Sequence, residues 1–215
     1  MMVKSLSKSL ANNYDDQIER NVSSLVLKDK NGKEETMASL FSGKTVYMYV
    51  WKHSPLFPPG DTDSAYTALK RRFVKYDDVV FINVYNDNNE ADWKELLKKK
   101  NKGVMSYQLS ENAANDSFRE LMGASTSPQI IGKDGTILSF LGPRPTDKLL
   151  VDYALDQART GQNGTKSAKK LIKGINSKVH FKDPKLTEWY EKHYGKKPEG
   201  KLSVSISGTK GNVGL

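Results

Sequence analysis

The chain has 215 residues, a formal charge of +9, 37% hydrophobic and 27% charged side chains, and no cysteine. That length suits one medium domain with an extension, or two small domains. The absence of thiols excludes disulfides, zinc–thiolate sites and thiol catalysis together.

The charge is unevenly placed. Residues 1–158 hold 21 Lys+Arg and 21 Asp+Glu, whereas residues 159–215 hold 13 and 4. A neutral domain with a basic extension is therefore expected rather than a uniformly basic protein. The three histidines, His53, His180 and His193, are scattered without ligand spacing, so neither a metal nor another cofactor is expected. No apolar run reaches the length of a membrane-spanning helix. The first residues, MMVKSLSKSLANNYDD, lack the apolar stretch of a secretory signal, which leaves a cytoplasmic, virion-associated or organellar location open.

In chain order, residues 3–20 read as a polar helix, and 1–21 as an N-terminal arm. SSLVLKDKNGKEETM alternates at Leu25 and Leu27 around Asn31-Gly32, the pair favoured in a type I′ hairpin turn. A helical turn at Met37–Phe41 leads into Thr45–Lys52, a buried strand by its β-branched and aromatic content. Asp61 or Asp63 can cap a helix to about Tyr76, with Ala65, Leu69 and Phe73 on one face. The unbroken apolar run Val79–Tyr85 predicts a parallel strand covered on both sides. Asp87, Asn88 and Asn89 form a polar connection without the spacing of a calcium loop. Helix Glu90–Asn101 carries Trp93, Leu96 and Leu97 and ends in three lysines. A strand at Tyr107–Leu109 and a helix at Asp116–Met122 follow. Pro128–Ile131 and Thr136–Phe140 then flank the turn Lys133-Asp134-Gly135, and Thr146 is placed to cap a last helix on Leu149, Leu150, Tyr153 and Ala154. This order predicts an α/β fold: a mixed sheet flanked by helices, with an N-terminal hairpin.

Four segments carry a resemblance: VYMYVWKHSPLFP, VVFINVYNDNNEADWKELLKKKN, GASTSPQIIGKDGTIL and Gly142. Together and in order, over residues 22–160, they resemble the thioredoxin-like superfamily in its TlpA-like or peroxiredoxin-related form. The resemblance places Pro55 and Pro58 where the family has its two cysteines, Tyr49 where many members keep a buried acid, and Ser54 at a shielding tryptophan. Trp51 and Pro128 remain. The family's exchange reaction needs a thiolate at the first position and a second thiol to resolve it, and proline supplies neither. His53 and Ser54 are adjacent, which rarely makes a nucleophile–base pair without a third orienting group. The degenerate loop is thus Trp51, His53, Ser54, Pro55 and Pro58. In the family the proline matching Pro128 is cis and the backbone before it pairs with an extended peptide. Thr126, Ser127 and Pro128 are therefore either a peptide groove or an inert strand end.

Residues 161–215 lie outside the resemblance and read as a basic extension with helices and a terminal strand. GQNGT has the composition of a linker. Ala168, Leu171, Ile172 and Ile175 share one helical face, with Lys166, Lys169, Lys170 and Lys173 largely elsewhere. Asp183-Pro184 opens a helix bearing Leu186, Trp189, Tyr190 and Tyr194 and closed by Gly195. KLSVSISG alternates as a strand seeking a partner sheet. The apolar positions Leu171, Ile172, Ile175, Leu186, Trp189, Tyr190 and Tyr194 are expected to dock on a neighbouring subunit. The leading expectation is a redox-inactive, noncatalytic structural or adaptor subunit whose partners are other proteins of a larger assembly. The alternatives are nucleic-acid binding through residues 161–215, and an enzyme of unrecognised type using the degenerate cleft.

Overall fold

The computed structural model describes residues 20–52, 62–99, 104–123, 127–202 and 204. Its strands are β1 (Val26–Lys28), β2 (Glu34–Thr36), β3 (Thr45–Trp51), β4 (Val79–Tyr85), β5 (Met105–Leu109), β6 (Pro128–Ile131) and β7 (Ile137–Ser139). The helices are α1 (Met37–Phe41), α2 (Thr62–Arg72), α3 (Glu90–Lys99), α4 (Ala113–Met122), α5 (Lys148–Ala158), α6 (Gly164–Lys173) and α7 (Pro184–Tyr194). The strands form one sheet in the order β2-β1-β5-β4-β3-β6-β7. Neighbours β3, β4 and β5 run parallel, and every other pairing is antiparallel.

The centre of the sheet follows from the residue pattern. β3 and β4 are buried on both faces, so their side chains alternate between two apolar layers instead of between core and water. Tyr47, Tyr49 and Phe81 face one layer with Tyr66 and Leu69 of α2, Phe73 just after it, and α5. Val46, Met48, Val50, Ile82 and Val84 face the other, with Met37 and Phe41 of α1 and Phe118 and Met122 of α4.

The first hairpin departs from the type I′ expectation. Its register pairs Lys28 with Glu34, and within Lys30–Lys33 only Gly32 has positive φ, at 85°. The Gly32 N–H donates to Asp29 O, while the Asp29 carboxylate accepts from the Asn31 and Lys33 N–H groups. The turn is therefore a longer loop with glycine at the left-handed position. At α5 the cap differs too. The helix starts after Asp147, whose carboxylate accepts from the Arg144 N–H, and Thr146 does not stand at the N-cap.

The greatest departure lies after residue 158. GQNGT is not an extended linker: Asn163 is the N-cap of α6, its side chain accepting from the Lys166 N–H, and Gly164 is already helical. Ala168, Leu171, Ile172, Ile175, Leu186 and Leu202 belong to the same apolar layer as α5, with Trp189, Tyr190 and Tyr194 packed against it. The faces expected to dock on a neighbouring subunit are thus covered by the chain itself. The reason is visible in α5, where Leu149 to Leu155 are all buried: a helix buried all round needs cover both from the sheet and from outside. Asp183 caps α7, Pro184 occupies its first turn, and Gly195 ends it in the left-handed conformation, as the sequence predicts. Of the expected terminal strand, Leu202 donates its N–H to Val179 O; Ser203 and residues 205–215 lie outside the described residues, as does all but the last residue of the helix expected over 3–20. Among the described residues no helix is long and apolar enough to cross a membrane.

Candidate functional site

The C-terminal end of β3 is the place to look first, because parallel strands present their carboxyl ends to a crevice in open α/β sheets. Trp51 stands there, half-buried, its indole N–H donating to Asn83 Oδ1 at 3.1 Å. Tyr49 packs on it with ring centroids 4.5 Å apart, and Tyr66 of α2 meets Tyr49 edge-on at 6.1 Å. The Tyr66 hydroxyl donates to Ile82 O at 3.0 Å. Burial, with a lesser contribution from Tyr49, holds the Tyr66 phenol well above its ordinary pKa, so it stays a neutral donor. Tyr49 is buried at the position where the resemblance places an acid. Tyr49, Trp51 and Tyr66 thus make an aromatic cluster at this end of the strand. His53, Ser54, Pro55 and Pro58 lie outside the described residues, as does Thr126.

The expected peptide groove is not supported at its two described positions. Among the described residues no peptide bond is cis, so the Ser127–Pro128 bond is trans. The Ser127 carbonyl accepts from the Val50 N–H at 3.1 Å, and the Pro128 carbonyl accepts from the Gly142 N–H at 2.7 Å. Gln129 donates to Ser127 Oγ and accepts from the Leu141 N–H. β6 is an interior strand, paired by β3 on one side and β7 on the other. These backbone groups are used within the chain, which leaves them unavailable to pair with an added peptide.

The polar connection after β4 behaves as its composition predicts. Asp87 accepts from the Asn88 N–H, and Asn89 accepts from the Ala91 and Asp92 N–H groups at the start of α3. Among the described residues no group of His, Asp and Glu could hold a metal ion.

A buried charge cluster centres on Asp152, which lies outside the residues that the sequence singles out. Asp152 on α5 is fully buried and accepts from Arg72 Nε and Nη2 at 2.6 and 2.8 Å. The Tyr194 hydroxyl of α7 donates to the same carboxylate. Burial, and then the Asp152 charge, push the Tyr194 phenol far above its ordinary range. His193 lies among Phe73, Tyr76, Trp189 and Tyr194, with Nε2 3.5 Å from Asp152 Oδ2 and no hydrogen bond at either ring nitrogen. One turn along α5, Asp156 accepts from Trp189 Nε1 and Arg159. Arg159 also pairs with Asp78 and covers the Tyr76 ring at 3.7 Å. The signal in the sequence was an acid in the middle of the apolar run LLVDYAL; an acid there needs a cation from another element. These groups fasten α7 to α2 and α5. A carboxylate fully occupied by Arg72 and Tyr194 is a structural anchor.

No family model matches the chain, and no curated protein matches it. Solved structures do. A crystal structure of a "putative thiol-disulfide oxidoreductase" from Bacteroides vulgatus is similar over 62% of this chain and 90% of that one, with a TM-score of 0.52 and 24% identity. A solution structure of a protein of the same description and organism covers 64% of this chain and 88% of that one, with a TM-score of 0.47 and 22% identity. The chain has a thioredoxin-like α/β fold. It has no cysteine, so it lacks the thiols on which thiol–disulfide exchange depends.

Proposed function

We propose that this protein is a redox-inactive thioredoxin-like domain that acts by binding other proteins, as a noncatalytic structural or adaptor subunit of a larger assembly. The observation that carries the reading is the combination at β3. The sheet keeps the fold's central strand, with Thr45–Val50 buried, while the chain holds no thiol. Neither the 126–128 segment nor the apolar faces of α6 and α7 supplies the contact surface in this reading.

The test has two arms. Disulfide reduction and peroxide reduction by the purified full chain are expected at the rate of a protein-free blank; turnover above it would overturn the reading. Crosslinking of the tagged chain in its native host, followed by mass spectrometry, is expected to place reproducible protein neighbours on the sheet domain. Crosslinks found only within the chain itself would refute an assembly role.

A further inference from the structure

Residues 164–185 present ammonium groups on a surface that the arm's own packing creates. Lys166, Lys170 and Lys173 follow an i, i+4, i+7 spacing and are exposed, while Ser167, Ala168, Leu171 and Ile172 of the same helix are buried. The loop after α6 folds back on it. Ile175 bridges Phe181, the Lys182 N–H donates to Gly174 O at 2.7 Å, and the Asn176 side chain accepts from the Lys178 and His180 N–H groups. That closure sets the Lys182 backbone beside Gly174 at the C-terminal end of α6, and Lys178, Lys182 and Lys185 are all exposed. Lys169 is half-buried and has a partner of its own, so it does not belong to this face. Among the described residues, none of these six exposed lysines is in an ion pair. The nearest acid in sequence, Asp183, is spent capping α7.

We propose that this lysine face binds the phosphate backbone of a nucleic-acid duplex, a role that goes beyond the protein contacts proposed above and does not depend on them. Unpaired, fixed cations on a folded surface gain most from a dense line of phosphates, because binding releases the condensed counterions. Lys166 and Lys170 stand about 6 Å apart along the helix axis, on the scale of two base-pair steps. The arm's aromatic residues do not form a stacking platform: Trp189, Tyr190 and Tyr194 pack against the chain's own core. That favours a duplex over single strands, whose bases need exposed rings to stack on. The exposed large hydrophobic residues among those described are Val74 and Met105, neither of them in the arm, so the face carries no apolar wedge for a lipid surface.

The test is fluorescence anisotropy of a labelled 20-base-pair duplex titrated with the full chain across a salt series. Binding is expected at low salt, weakening linearly in log Kd against log salt. A Lys166→Gln, Lys170→Gln, Lys173→Gln variant is expected to bind at least tenfold more weakly and to lose about 3 from the slope, near 0.9 for each phosphate contact removed. A control triple, Lys30→Gln, Lys94→Gln, Lys98→Gln, makes the same charge change elsewhere and is expected to bind as the parent does. The proposal is overturned if the two triples behave alike, if the duplex does not bind at low salt, if a single strand of equal length binds more tightly, or if phosphatidylserine vesicles compete the duplex off. Near-UV circular dichroism confirms that both variants keep the parent fold.

Discussion

Asp152 shows how much one residue decides. It is buried on α5, yet serves Arg72 from α2 and Tyr194 from α7 at once. Asp152→Asn keeps the shape and an acceptor for the Tyr194 hydroxyl but leaves the Arg72 guanidinium without its countercharge. The expected loss is about 3–5 kcal/mol, read as a lower urea midpoint with unchanged slope. His193 carries the opposite expectation. Its ring is stacked against Trp189, with centroids 5.4 Å apart, and neither nitrogen has a hydrogen-bond partner. A buried polar group without a partner costs about 1–3 kcal/mol, and phenylalanine keeps the ring contacts without that cost. His193→Phe is therefore expected to leave the melting temperature unchanged or raise it. A clear drop would show that the 3.5 Å approach to Asp152 is an ionic contact.

At the scale of the element, the local rules worked where the chain obeys its nearest neighbours. β4 spans the predicted Val79–Tyr85 and α1 the predicted Met37–Phe41; α7 has the predicted cap, proline and closing glycine. They failed where two elements compete for one residue. Asn31-Gly32 alone favours a tight I′ turn, but the Asp29 carboxylate gathers the Asn31 and Lys33 N–H groups and lengthens the loop. GQNGT reads as a linker, yet Asn163 turns it into a helix start. The junction between α6 and α7 is tight for a similar reason. A Cβ on Gly174 would come within 2.2 Å of the Leu186 side chain, although the backbone there, with φ −76°, is open to any residue. Gly174→Ala is thus expected to cost about 1–3 kcal/mol through steric displacement of Leu186. Loss of cooperativity in the denaturation curve together with lost near-UV signal would locate the damage in the α6–α7 packing. A thermally neutral variant would show that Leu186 has room to move.

For the whole molecule, the arm is part of the core. Leu171, Ile172, Ile175, Leu186 and Leu202 share one apolar layer with α5, and full burial of each such side chain stabilises by about 1.5–3 kcal/mol. The total is comparable to the roughly 5–15 kcal/mol that holds a domain folded. A chain ending at residue 160 is therefore expected to lack a cooperative thermal transition. A truncated chain that melts sharply near the parent temperature would show that the sheet domain stands alone. Acid should act through the ion pairs that tie the layers together. Burial alone would raise the Asp78 pKa, but Arg159 and Lys133 outweigh it and hold the carboxyl below its ordinary value. The N–H of Thr136 lowers Asp134 in the same way. A depressed folded-state pKa gives stability that is complete above the unfolded value, about 3.9, and disappears as pH falls through the folded value. Stability is expected to decline below about pH 4, and Asp78→Asn to flatten that decline while lowering stability at neutral pH. A parent and variant with parallel acid curves would remove Asp78 from the account.

The order of strands and helices along the chain, the burial of β3, the two-sided cover of β4 and the absence of thiol chemistry are all legible in the residues alone. Each depends on residue type and local spacing, which the chain carries without reference to its fold. What covers what is settled only in the folded chain. A run such as Leu171, Ile172 and Ile175 states only that an apolar face needs a partner. Whether that partner is a second chain or α5 of the same one depends on distances between segments far apart in sequence. Those distances turned an arm expected to reach outward into a layer of the protein's own core. They also left its lysines, rather than its apolar residues, on the outside.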